Sequence, residues 1–197
     1  MPVNASRRFS QAISEGDGIS LIALVESADD AAGLDTRGAD AVLVSPAASG
    51  DVGAVRAATS LPLLAGWAGS LPADLSGVDA CILPVDGDDD RLERAHSQVR
   101  GNLEIAFWIG DEEHLESALE DFDPEIFILA APDLDGEEAL ERILDLLPDV
   151  PAGKLAIAEL PSSDADDVAA LERAGVDGVI VPAAMVGSLV PDEAPEV

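Results

Sequence analysis

Lysine is almost absent from this chain. Lys154 is the only one among ten basic residues, which stand against 40 acidic residues and leave a formal charge of −30 over 197 residues. Clustered cations are what neutralise nucleic-acid phosphates and hold anionic bilayers, so neither is a fitting partner. Cysteine is represented by Cys81 alone, which excludes an internal disulfide, and its place inside an apolar run makes it a small core residue. Aromatic residues make up 3% of the chain and tyrosine is missing, so the core must be built from Val, Leu, Ile and Ala. No apolar run approaches the ~20 residues of a membrane-spanning helix. Residues 1–18 lack the apolar stretch of a signal peptide, so a soluble cytoplasmic protein is expected. His96 and His114 have no Cys or His at metal spacing, which argues against zinc. Ser27 and Ser45 belong to no nucleophile elbow, and neither a Walker loop nor Gly-x-Gly-x-x-Gly occurs. Arg7 and Arg8 form the one adjacent basic pair, read as a solvated helix start or as a contact to an acidic neighbour.

What the chain does have is hydrophobic residues, 48% of the total, in short runs at 20–26, 41–46, 62–67, 80–85, 103–110, 126–131, 155–159 and 178–182. Each run is followed by an amphipathic or turn-like stretch. Eight candidate strands in βα alternation predict one α/β domain over residues 1–197, a compact (β/α)8 TIM barrel. Helices are expected at 5–14, 29–37, 51–59, 88–99, 111–120, 137–147 and 164–174, most of them opening with acids as the helix dipole favours. Residues 1–18 read as an N-terminal helix and linker, and 188–197 as a short tail. The third and eighth barrel helices are reduced: 68–76 has room for a turn or two, and Pro191 and Pro195 interrupt the C-terminal end. Missing helices bare apolar strand surface, which the N-terminal helix and a second subunit would cover. A homodimer is expected on that ground. A glycine-led phrase precedes three strands: Gly38-Ala-Asp, Gly77-Val-Asp and Gly175-Val-Asp, with Asp123-Pro-Glu as a looser version. The acidity fits either a salt-rich cytosol, where self-repulsion is screened, or a lysine-poor proteome.

The chain resembles indole-3-glycerol phosphate synthase, within the group of phosphate-binding barrels. Leu21-Ile-Ala-Leu-Val-Glu is similar to the first strand of that family, Val55-Arg-Ala-Ala-Thr-Ser-Leu-Pro-Leu-Leu to the approach to its third strand, and Leu103-Glu-Ile-Ala-Phe-Trp-Ile-Gly-Asp-Glu-Glu-His-Leu to its fifth strand and following helix. Residues 155–178 resemble the seventh strand, seventh helix and lead-in to the eighth strand. The resemblance implies a barrel with its site at the strand C-terminal ends. The residues it implies there are mostly replaced. The first-strand Glu and Lys fall on Leu24 and Glu26, the third-strand lysine on Gly66, and the fifth-strand glutamate on Trp108. The sixth-strand Asn-Asn-Arg falls on Ala130, Ala131 and Pro132, and the eighth-strand Gly-Glu on Pro182 and Ala183. Only the seventh-strand glutamate is kept, as Glu159, followed by Leu160-Pro161 in place of Ser-Gly. Ring closure with loss of water and carbon dioxide needs a general acid and a cation, and glycerol phosphate needs free backbone N–H groups. Proline and acids supply neither, so that reaction is not expected.

Glu26 and Glu159 are the candidate catalytic pair, as general acid and base or, with Asp86 or Asp133, as ligands of a divalent metal. Solvated rim carboxylates are the alternative. Leu24, Trp67 and Trp108, with Asp86 and Asp133, are expected to line the barrel mouth, the tryptophans as an apolar plug or as the wall of a small apolar pocket. Two functions follow. One is a catalytically silent barrel acting through binding or assembly with a protein partner. The other is a lyase or isomerase on a small unphosphorylated molecule.

Overall fold

Strands buried on both faces need apolar residues at odd and even positions alike, and the runs of this chain supply them. In the computed structural model, which describes residues 7–16, 18–67, 69–71, 75–160 and 164–189, these runs form β1 (Ser20–Val25), β2 (Ala41–Val44), β3 (Leu63–Ala65), β4 (Ala80–Pro84), β5 (Glu104–Ile109), β6 (Ile126–Ala130), β7 (Leu155–Glu159) and β8 (Gly178–Pro182). All neighbours are parallel, and β8 returns to β1 with Ile22 opposite Ile180, closing the expected TIM barrel. Alternation splits the core in two. Ile22, Leu43, Ile128, Ile157 and Ile180 fill the barrel interior. Ala23, Val42, Leu129, Ala158 and Val179 face the outer layer.

The outer layer is α2 (Ala28–Ala31), α3 (Val52–Ala58), α4 (Asp89–Val99), α5 (Glu112–Asp121), α6 (Gly136–Leu146), α7 (Ala165–Ala174) and α8 (Val186–Leu189). Their acidic starts act as caps. Asp111 accepts the His114 N–H at 2.9 Å, and Asp164 accepts those of Asp166 and Asp167 in a capping box. The eighth helix is four residues long, and among the described residues no helix joins β3 to β4, as expected. The tail from residue 190 and parts of the third crossover, at 68 and 72–74, lie outside the described residues.

Three expectations are corrected. The helix at 29–37 is broken: α2 stops at Ala31, the chain turns at Gly33, and a 3-10 turn spans Asp35–Arg37. The N-terminal helix, α1 (Arg8–Ser14), does not cover an outer gap. It plugs the N-terminal end of the barrel, with Phe9 and Ile13 in the interior cluster. (Residues 5 and 6 of that expected helix lie outside the described residues.) Glu104 fixes it by accepting the Phe9 N–H at 2.8 Å, the Ser20 hydroxyl donates to the Ile13 carbonyl at 3.1 Å, and Arg8 pairs with Asp79 at 3.1 Å. Burying Phe9 is worth about 1.5–3 kcal/mol. Finally, the strands beside the gaps are not bare. Leu63, Leu83, Val179 and Val181 are fully buried within one chain, with Leu71 and Leu75 packed against the outer cluster where a third helix would lie. Among the described residues, the chain itself covers the strand surface that a second subunit was expected to cover.

The glycine-led phrase has a structural cause. Gly38, Gly77 and Gly175 take φ of 95°, 83° and 93°, the left-handed turn that ends each crossover. Two residues on, the carboxylates of Asp40, Asp79 and Asp177 accept the N–H groups of Leu21, Leu63 and Ala156 at 2.9, 2.9 and 2.7 Å. Their own N–H groups donate to the carbonyls of those same three residues. Each Asp thus staples one strand to the strand before it.

Candidate active site

Inward alternation carries Leu24, Trp108 and Glu159 to the C-terminal mouth, one step above Ile22, Ala106 and Ile157. Leu24, Trp67 and Trp108 are partly buried and pack on the interior cluster. The Trp108 indole Nε1–H donates to Glu159 Oε2 at 2.5 Å across β6. Burial pushes the Glu159 carboxyl up from its ordinary range, and the indole hydrogen bond opposes that only in part. A carboxyl in this state keeps its proton to higher pH than a solvated one, as a general acid requires.

The other expected residues are placed apart from it. Glu26 is exposed beyond β1, with its backbone N–H on Asp30 at 3.1 Å, and no hydrogen bond or ion pair joins it to Glu159. Asp86 is exposed and pairs with Arg91, while Asp133 is exposed beyond β6. Among the described residues no group of three or more His, Cys, Asp or Glu side chains is placed to hold a metal ion. The sequence reading missed Arg91. The strand ends carry no cation, but the first turn of α4 brings this guanidinium to 5.7 Å from the centre of the Trp67 ring, held also by Asp86 and Asp88. The signal was available: Arg91 lies at the start of the helix expected at 88–99, seven residues beyond the end of β4.

Two positions of the resemblance acquire a physical reading. Gly66, where the family lysine would fall, is buried. A Cβ there would sit 2.8 Å from the Val44 carbonyl oxygen and 2.9 Å from Pro46 Cδ, so no side chain fits. The Ala183 N–H, at the eighth-strand turn, is spent on the Leu24 carbonyl at 3.1 Å. The other half of the expected phosphate position, residues 161–163, lies outside the described residues.

No protein-family model matches the chain, and no curated protein matches it by sequence. Among solved structures it is similar to 2,3-dimethylmalate lyase, a member of the PEP mutase/isocitrate lyase superfamily. The trigonal crystal form gives a TM-score of 0.63 at 16% identity, covering 95% of this chain and 81% of that one. The triclinic form gives 0.61 at 16% identity, over 95% and 84%. At this identity the likeness is one of fold: a parallel eight-stranded barrel.

Proposed function

We propose that this barrel is a lyase or isomerase acting on a small, unphosphorylated molecule, with Glu159 as its proton-transfer group. The observation that carries the reading is the Glu159 carboxyl itself, partly buried at the mouth, raised in pKa and aimed by the Trp108 indole. The likeness to a lyase barrel supports the same reading. Leu24, Trp67 and Trp108 favour a substrate with apolar bulk, and Glu26 is the solvent-side carboxylate of the proposed pair. The test is hydrogen exchange. A panel of small ketones, aldehydes and oxo acids is incubated with the protein in D2O, and deuterium next to the carbonyl is followed by NMR. Wild-type protein is expected to accelerate exchange in at least one compound, and Glu159→Gln to reduce it by about a hundredfold or more, the usual weight of a general acid or base. Equal exchange in the two proteins would remove the proposal.

A second reading is a silent barrel related to indole-3-glycerol phosphate synthase that acts through assembly, as a homodimer or with a protein partner. What favours it is the closed Gly66 position and the apolar residues at the strand ends, Leu24 and Ala130. Sedimentation as a monomer with no captured partner, at low and molar salt, would count against it.

A further inference from the structure

At the end of the barrel opposite the mouth, a cavity of about 700 Å3 opens between α1, the C-terminal end of α4 and the lower ends of β5, β6 and β7. It gathers residue types that the chain has few of. Two of its four phenylalanines, Phe107 and Phe122, form one wall, with ring centroids 5.2 Å apart. One of its two histidines, His96, meets Phe122 edge-on at 5.0 Å and lies 6.1 Å from the Phe107 ring on β5, so it turns toward the strands. Two of its ten cations, Arg7 and Arg100, also line the cavity, and neither has an ion-pair partner among the described residues.

Three carboxylates share the lining, and each is already engaged. Glu104 accepts the first N–H groups of α1, at 2.8 Å from Phe9 and 3.2 Å from Ser10. Asp123 and Glu125 hold Lys154 at 3.0 and 3.1 Å. The guanidinium groups are the uncommitted charges. An apolar ring wall beside fork-shaped cation donors is complementary to a planar aromatic group bearing a carboxylate.

We propose that this floor cavity binds a small aryl carboxylate, its anion held by Arg7 and Arg100 and its ring lying against Phe122 and His96. The site is separate from the mouth, so it is a binding function in addition to the proposed chemistry and does not rest on it.

Phenylacetate is the probe, with phenylacetamide as its uncharged counterpart and acetate as the anion without a ring. The readout is the imidazole NMR signals of the full chain. With two histidines the spectrum assigns simply, and His114, at the start of α5, serves as the internal reference. Phenylacetate is expected to move the His96 signals saturably, leave His114 in place, and bind at least tenfold more tightly than either control. Arg100→Gln, an exposed substitution that leaves the fold intact, is expected to weaken binding about fivefold or more. Glu159→Gln, at the opposite end of the barrel, is expected to leave phenylacetate binding unchanged. An unmoved His96, equal binding of the amide, or an Arg100→Gln variant that binds like wild type overturns the proposal. Loss of binding in Glu159→Gln overturns it too, by putting the ligand in the mouth.

Discussion

Glu159 sets a sign that a stability measurement can read. Its folded pKa is raised by burial above the ordinary value near 4.5. The protonated form is therefore the one the fold prefers. Below about 4.5 the protonated side chain carries no penalty, and as pH rises through the folded value, ionising it costs stability. Glu159→Gln keeps an acceptor for the Trp108 indole and removes the ionisation. The variant is expected to match wild type in urea unfolding near pH 4 and to be more stable at pH 7. The reverse order would mean that the carboxylate is stabilised as an anion. The position of Glu159 was legible in the sequence, because strand alternation and the resemblance both put it at the mouth. Its indole partner was not. Trp108 and Glu159 lie 51 residues apart, and their meeting depends on the stagger of β5 against β7. The exposure of Glu26 was not legible either: one residue beyond the strand end is enough to pass from the lined mouth to solvent.

At the scale of elements, the aspartate staples are the most general device in this barrel. Asp177 holds the Ala156 N–H at 2.7 Å and its own N–H binds the same residue, joining β7 to β8 where they leave the floor. Asp177→Ala strands a partly buried amide and is expected to cost about 1–3 kcal/mol. Asp177→Asn keeps an acceptor and should cost less. Both are measured by urea denaturation, and equal losses would show that charge, not the hydrogen bond, matters. The recurring Gly-x-Asp phrase could be read from the sequence as a turn, and its strand-clamping role follows from the geometry. The looser fourth version departs as its residues demand: Asp123 takes the glycine place at φ 46°, and Glu125 reaches Lys154 instead of the neighbouring strand. Apolar runs located all eight strands and the helices from 88 to 174 to within one or two residues, because burial on both faces and capping acids are local signals. The role of α1 was hidden, since Glu104, which caps it, lies 95 residues from Phe9.

The whole molecule carries its charge with few internal partners. Arg8 and Arg56 converge on Asp79, Arg91 takes Asp86 and Asp88, and Lys154 takes Asp123 and Glu125. With ten cations for 40 acids, most carboxylates among the described residues have no ion-pair partner. Their mutual repulsion acts on the compact barrel more than on the expanded chain, where the same charges lie further apart. Salt shortens the range of that repulsion from about 10 Å at 0.1 M to about 3 Å at 1 M. Stability is therefore expected to climb steeply between low and molar KCl, with the thermal midpoint rising over that interval. An equally concentrated uncharged solute such as sorbitol should produce a smaller rise. Sorbitol and KCl acting alike would assign the effect to solvent exclusion. A flat response to KCl would mean that the carboxylates are spaced widely enough to ignore one another, and a lysine-poor proteome, not a salt-rich cytosol, would then account for the composition.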